Sequence, residues 1–144
     1  MDTPPGTRLL ALLMLATACE QQGGVMPPEE KGPTGFAGSA PVVSVHPESE
    51  PGTAIRSVDT AAVVRARWTD ILPGDHQRVE LVAPNGRVYE TVTVPIGPGG
   101  EAVARLAIAG TFVEEYRLYG AWTARFYYNG GAAPVKETRF NVEP

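Results

Sequence analysis

The side chains that could carry acid–base or metal chemistry are few in this 144-residue chain. There are two histidines, His46 and His76, and the second directly follows Asp75 in the sequence LPGDHQ, with Asp70 a short distance before it. An imidazole next to carboxylates could act as a general base or help to hold a metal ion. However, LPGDHQ is typical of an exposed turn, where Asp is favoured because its side chain bonds to nearby backbone. The spacing also matches no zinc or EF-hand pattern, so we expect no metal site and no catalytic histidine.

Other motifs of catalysis or nucleotide binding do not occur in the sequence. It contains no Gly-x-Ser-x-Gly nucleophile motif. The glycine-rich run at 97–100 lacks the Lys-Ser/Thr pair and the following helix of a phosphate-binding loop, so it indicates a turn. Sixteen acidic residues against twelve basic ones give a net charge of -4, whereas nucleic-acid binding needs a basic surface. We expect a protein that is not an enzyme and has no cofactor, no nucleic-acid partner and no small-molecule ligand.

The single cysteine follows an apolar run near the start of the sequence. Arg8 precedes unbroken apolar residues at 9–16, a run too short for a membrane-spanning helix, which needs about 20 residues, but typical of the hydrophobic region of a signal peptide. The sequence ATAC at 16–19 then ends on Cys19. These small residues followed by Cys resemble the lipobox of bacterial lipoproteins. In that family the cysteine thiol takes a diacylglycerol and the preceding peptide is removed, which implies that Cys19 is lipidated. The alternative is an ordinary secretory signal with a cysteine after its cleavage site.

The composition divides the chain into a signal peptide at 1–18, a lipidated cysteine with a flexible linker at 19–41, and a folded domain at 42–144. The linker has no apolar periodicity and is rich in Gly and Pro, so it cannot bury enough apolar surface to offset the entropy of ordering it. As a coil it would reach roughly 25 Å. We therefore expect a domain tethered to a membrane of the cell envelope, with the outer membrane favoured.

Period-two alternation predicts that the domain consists of β-strands. Val64, Ala66 and Trp68 alternate with charged or polar residues, as half-buried strands require. Similar segments occur at 43–46, 78–83, 87–94, 102–109, 122–128 and 135–142. The sequence Asn-Gly at 85–86 predicts a hairpin turn. Residues 112–118 could form either a short strand or a single helical turn, and no longer helix is expected. About seven strands in this pattern predict an all-β fold, an antiparallel sandwich of two sheets.

Two stretches resemble hairpins of bacterial immunoglobulin-like domains. These are GDHQRVELVAPNGRVYE and the pair YGAWTARFYYNG and VKETRFNV, in which a Gly-x-Trp opens the penultimate strand and a Phe-x-Val closes the chain. The resemblance covers about 60–142 and implies an immunoglobulin-like β-sandwich. Because there is no cysteine pair to bridge the sheets, we expect Trp122 to supply the packing that a disulfide supplies elsewhere. Such a resemblance implies an architecture and no particular activity.

Four tyrosines are the candidates for a contact surface. Tyr89 and Tyr127 are predicted on the outward faces of their strands, and Tyr116 and Tyr119 in the connection before the penultimate strand. Tyrosine offers a large contact area at low entropic cost. The alternative is that these rings shield sheet faces or pair across strands. Five arginines on outward faces are expected to be solvated and paired across strands: Arg65, Arg67, Arg78, Arg87 and Arg125.

These observations predict a non-catalytic protein, lipid-anchored in the cell envelope, whose β-sandwich has a structural role or binds another envelope protein. A carbohydrate-binding module for cell-wall or surface polysaccharide is the alternative, because β-sandwiches with exposed aromatic residues can bind sugars. An enzyme is the least favoured interpretation.

Overall fold

The computed structural model describes residues 38–144. The predicted signal peptide, Cys19 and most of the predicted linker lie outside the described residues. Within 38–144, no helix is both long enough and apolar enough to cross a membrane.

Eight strands and one helical turn make up this part of the chain. They are β1 (Val42–Pro47), β2 (Ile55–Arg56), β3 (Ala61–Arg67), β4 (His76–Val82), β5 (Val88–Pro95), β6 (Glu101–Ala107), α1 (Phe112–Glu115), β7 (Gly120–Tyr128) and β8 (Lys136–Glu143). The strands form two sheets, with the orders β1-β3-β6 and β2-β8-β7-β4-β5. The prediction of an all-β fold with two sheets is confirmed.

The strand count and the strand directions differ from the prediction because of β2. The structure has eight strands where about seven were expected, and β2 runs parallel to β8, with Ile55 opposite Val142. The arrangement is therefore not purely antiparallel. A strand of two residues is too short for alternation to reveal it. It forms where Ile55 enters the core, in which its side chain is 5% exposed.

Residues 112–118 were expected to form either a short strand or a single helical turn, and the structure has the helical turn. Thr111 caps the turn, because its side-chain hydroxyl accepts a hydrogen bond from the backbone N–H of Val113 at 3.2 Å. Val113 is fully buried and attaches the turn to the core.

The core lies on the inward faces of the strands and is centred on Trp122. This side chain has no solvent exposure, as the sequence predicts. Its ring stacks on Phe140 with centroids 6.3 Å apart and meets the edge of Tyr89 at 5.4 Å. The indole N–H donates to the carbonyl of Leu118 at 2.9 Å, so the one polar atom of the ring is satisfied.

The two ends of the domain can be named from the strand register. Val42 at the start of β1 pairs with Arg67 at the end of β3. The next residue, Trp68, donates its indole N–H to the buried side-chain oxygen of Gln77 at 2.7 Å. Gln77 lies at the start of β4. We call this the entry end. The seven residues of β4 then extend roughly 20 Å, at about 3.3 Å per residue, to the turn between β4 and β5, which we call the distal end.

Candidate functional site

A groove of about 530 Å³ lies at the distal end, between the β4–β5 turn and the helical turn α1. Apolar and aromatic side chains make up most of its lining. The residues that line it are Ala83, Asn85, Arg87, Val88, Tyr89, Phe112, Tyr116 and Leu118. We call it the distal groove.

The β4–β5 hairpin forms one wall of the distal groove, and the Asn-Gly sequence explains its shape. The N–H of Gly86 donates to the carbonyl of Ala83 at 2.9 Å, and the N–H of Ala83 donates to the carbonyl of Arg87 at 2.9 Å. Gly86 has a φ of 84°, a conformation that glycine adopts without steric cost. The side chain of Asn85 accepts from the N–H of Arg87 at 3.0 Å. The predicted hairpin turn is confirmed, and it holds the start of β5 beside α1.

Tyr89 faces inward, which contradicts its predicted position on the outward face. The register between β4 and β5 shifts between Leu81 and Val82, so β5 contains an extra residue at this point. Because of this extra residue, the side chains of β5 before the bulge alternate in the opposite phase to those after it. The half-buried ring of Tyr89 consequently packs edge-on against Trp122 and lines the distal groove from the inside.

The helical turn α1 forms the opposite wall and carries the most exposed aromatic rings. Phe112 is 59% exposed and Tyr116 is 64% exposed. They are four residues apart, so they lie on one face of the turn, with ring centroids 5.7 Å apart. The sequence interpretation did not include Phe112. The signal that could have revealed it is this spacing, with Val113 on the opposite, buried face.

The other two candidate tyrosines do not lie in the distal groove. Tyr127 is on the outward face of β7, as predicted, but it is buried, because the guanidinium of Arg78 lies 4.1 Å from its ring centroid. Its hydroxyl donates to Glu80 at 2.9 Å. Burial, and then this hydrogen bond, raise the pKa of Tyr127 above its ordinary value. Tyr119 is half-buried against the core. Tyr127 therefore exposes little of its ring to solvent.

Most of the outward arginines are paired across strands, as expected. Glu101 lies 3.2 Å from Arg65 and 3.8 Å from Arg67, and Arg125 lies 3.1 Å from Glu137. These pairs are exposed and contribute little to stability individually.

Arg87 lines the distal groove and, unlike Arg65, Arg67 and Arg125, has no ion-pair partner among residues 38–144. Arg78 also has no ion pair there, but its guanidinium lies over the ring of Tyr127. The guanidinium of Arg87 can therefore receive a carboxylate from a bound molecule without first breaking an internal pair.

The Asp75 and His76 region at the entry end is a hydrogen-bonded cluster. The Asp75 carboxylate accepts from the N–H of Leu72 at 2.7 Å, from the side-chain amide of Asn129 at 2.9 Å, and from the hydroxyl of Tyr128. The bonds from Asn129, Leu72 and Tyr128, in that order, lower the pKa of Asp75 below its ordinary value. The carboxylate thus joins the loop before β4 to the turn after β7.

The two histidines of the described residues make hydrogen bonds within the domain. The part of the chain that the structure describes contains no group of three or more His, Cys, Asp or Glu residues that could hold a metal ion. The backbone N–H of His76 donates to the side-chain oxygen of Asn129 at 2.8 Å, and His46 has a ring nitrogen 2.9 Å from the carbonyl of Pro47.

The Tyr128–Asp75 hydrogen bond leads to a prediction about alkaline stability. This bond, together with burial, raises the pKa of Tyr128 to about 12, from an ordinary value of 10.0. Between these values the unfolded chain loses the proton and the folded chain keeps it. The free energy of unfolding should therefore fall as the pH rises from 10 to about 12. Tyr128→Phe should make this fall smaller, as measured by urea unfolding at several pH values. Equal slopes for the two proteins would contradict the prediction.

The chemistry of the distal groove is that of a binding surface. An aromatic or aliphatic group could pack against Phe112 and Tyr116, with a carboxylate at Arg87. No protein-family model matches the chain, and a search of curated proteins finds no significantly similar sequence. The function is therefore inferred from this geometry.

Proposed function

We propose that the protein is a non-catalytic binding module of the cell envelope and that its distal groove contacts another envelope protein. The observation that carries this proposal is the pair of exposed rings, Phe112 and Tyr116, beside Arg87, which has no ion-pair partner within residues 38–144. Two exposed rings side by side offer an apolar surface that a partner could cover. Aromatic residues and arginine are also the side chains that contribute most to protein–protein binding.

The proposal includes an immunoglobulin-like arrangement of the strands. The order β1-β3-β6 corresponds to strands A-B-E of that fold, and β8-β7-β4-β5 corresponds to G-F-C-C′. The buried Trp122 on β7, which packs between the sheets without a disulfide, agrees with the sequence resemblance. The distal groove lies at one end of this arrangement, between the β4–β5 turn and α1.

A lipid anchor at Cys19 is the second part of the proposal, and the sequence supports it. Within residues 38–144, β1 is the first strand, and it starts at the entry end, because Val42 pairs with Arg67. The distal groove lies roughly one strand length, about 20 Å, from that point. A module tethered by a flexible linker of roughly 25 Å would leave the groove accessible to a second protein.

A photoreactive phenylalanine placed at Tyr116 should crosslink to a protein partner in the cells that produce this chain. Position 116 is 64% exposed and lies in the distal groove, so a bound partner would contact it directly. The matched control is the same residue at Leu72, which is 67% exposed but lies near the entry end. We expect a discrete, protease-sensitive adduct from position 116 and none from position 72, as measured by blotting and mass spectrometry.

Two results of this crosslinking would contradict the proposed protein partner. An adduct that contains no peptides of a second protein and is degraded by periodate would favour the carbohydrate-binding alternative. Equal adducts from both positions, or none from either, would mean that the groove has no special role in binding.

The lipid anchor is tested by Cys19→Ser. We expect the unaltered protein to fractionate with membranes and to incorporate labelled palmitate, because two or more acyl chains anchor a protein stably. The variant should lose the label and either become soluble or keep its signal peptide. As a control, Glu20→Gln changes the neighbouring residue but leaves the thiol, so it should still be labelled. An unaltered protein without label, whose fractionation Cys19→Ser does not change, would refute the anchor.

A further inference from the structure

The outer side of β5 has the properties of a site for an added strand. β5 is the last strand of the five-stranded sheet, and within residues 38–144 only β4 pairs with it. An edge strand presents unpaired backbone N–H and C=O groups, which are most fully satisfied by another extended chain.

The register shows which backbone groups of β5 are available. The N–H of Ile96, directly after β5, donates to the carbonyl of Asp75 at 3.0 Å, so this residue faces the β4 side. In an antiparallel ladder the backbone groups of successive residues face alternate sides. Counting back from Ile96, the N–H and C=O groups of Thr91 and Thr93 point away from β4, toward the open edge.

The composition of β5 favours pairing. Six of its eight residues, in the sequence VYETVTVP, are β-branched or aromatic, and none is Lys or Arg. Natural edge strands are commonly protected from association by charged residues, proline and bulges. In β5 these are Glu90, the bulge beside it and Pro95, and the segment 91–94 between them contains none of them. The one proline, Pro95, lies two residues after Thr93, so its backbone nitrogen also points away from β4, and the missing N–H removes no bond to β4. It prevents pairing on the open side only at the C-terminal end of β5.

The open edge of β5 leads directly into the distal groove. Val88, which is 49% exposed, and Tyr89 belong to β5 and also line the groove. Residues of an extended chain are about 3.3 Å apart and alternate in direction. A strand that pairs with Thr91 would therefore bring a side chain into the groove within a few residues. Arg87 lies at the same end of the strand.

We propose that the partner binds as an extended peptide segment that adds a strand to β5. Its backbone bonds to Thr91 and Thr93, an aromatic or aliphatic side chain occupies the distal groove, and an acidic side chain pairs with Arg87. This inference rests on the proposed function and deepens it, because it specifies the mode of binding and the kind of peptide.

A second copy of this chain fits the same edge less well. Two β5 strands could pair antiparallel, but the residues that would then meet the partner's groove follow Pro95. Ile96 is buried in its own core, and 97–100 are Gly-Pro-Gly-Gly. They provide neither an aromatic group nor a carboxylate for the groove. A partner peptide can supply both.

The test uses a library of random 12-residue peptides displayed on phage, selected against the full chain in detergent. The enriched peptide is synthesised with single N-methyl groups along its backbone. Strand addition predicts that N-methylation weakens binding about tenfold or more at alternate residues and little between them, because only alternate N–H groups face β5. Thr93→Pro should weaken binding of the unmodified peptide similarly. The Kd values are measured by calorimetry.

Amide exchange provides a measurement that does not depend on the folding of a variant. In the free chain the amides of Thr91 and Thr93 should exchange faster than those of Val92 and Val94, which face β4. Bound peptide should slow exchange at Thr91 and Thr93 about tenfold or more.

Each other outcome would overturn the inference in a distinguishable way. In one such outcome, the double variant Phe112→Ala with Tyr116→Ala abolishes binding, while N-methylation has no alternating effect and the Thr93→Pro variant binds normally. That result would keep the distal groove as the binding site and reject the added strand. Protection of Thr91 and Thr93 without peptide, rising with protein concentration, would indicate a second copy of the chain. If no peptide is enriched, the partner is not an extended peptide; the crosslinking at position 116 then decides separately whether the proposed function also fails.

Discussion

Trp122→Ala should lower the free energy of unfolding by about 3–5 kcal/mol, the usual cost of removing a large aromatic ring from a core. Trp122 has no solvent exposure. Its ring contacts both Tyr89 and Phe140, and its indole N–H satisfies the carbonyl of Leu118. Alanine would leave a cavity and an unpaired carbonyl. Because domains of this kind are stable by roughly 5–15 kcal/mol, the variant should be close to unfolding. Equilibrium unfolding in urea, followed by circular dichroism, measures the loss.

The matched control for this prediction is Tyr116→Ala. Tyr116 is also aromatic and lies in the same domain, but it is mostly exposed, so its removal should change the free energy of unfolding by no more than about 0.5 kcal/mol. The same control establishes that groove variants fold. A loss below about 1 kcal/mol for Trp122→Ala would mean that this ring does not organise the core.

Gly100→Ala should be more damaging than the same substitution at the other described glycines, with a loss of roughly 2–5 kcal/mol from backbone strain and overpacking together. Gly100 has a φ of 85°, and an added Cβ would overlap the carbonyl oxygen of Trp68. The carbonyl of Gly100 also accepts from the N–H of Trp68 at 2.8 Å, so the two backbones cannot separate without losing a hydrogen bond.

Two control variants, at Gly74 and Gly99, separate the cost of backbone strain from the cost of the close contact at Gly100. Gly74→Ala places a side chain at a φ of 93° in open space, so it should show only the strain, about 1–2 kcal/mol. Gly99→Ala has neither a left-handed φ nor a neighbour within 4 Å, and it should leave stability unchanged or slightly higher. If Gly100→Ala costs no more than Gly74→Ala in urea unfolding, the close approach to Trp68 has no energetic weight.

Local patterns were sufficient to predict most of the strands. The alternation in β3 places Val64 and Ala66 inward and Arg65 outward, as the structure has them. The Asn-Gly turn at 85–86 is also local, because its hydrogen bonds join residues within a few positions of each other. β2 was missed since its two residues carry no period, and it exists only because β8 lies beside it.

The positions and exposure of the aromatic rings near the candidate site were predicted only in part, and the differences have specific causes. Tyr116 is exposed, as a contact residue must be. Tyr89 turned inward because one extra residue in β5 changes the register against β4, and nothing in the sequence of β5 alone reveals that insertion. Tyr127 is on the predicted face, but Arg78 of the adjacent strand covers it. Phe112 was overlooked because a four-residue turn is too short for a helical period to be recognised.

The sequence by itself determined that residues after 42 form an all-β domain, because the side-chain alternation of a half-buried strand is a local property of the chain. It also determined that Trp122 belongs to the core, since that ring falls on the apolar face of its strand. Only the tertiary structure decided which aromatic rings remain in contact with solvent. That outcome depends on residues far apart in the chain meeting at the distal end, where the β4–β5 hairpin and α1 leave Phe112 and Tyr116 uncovered.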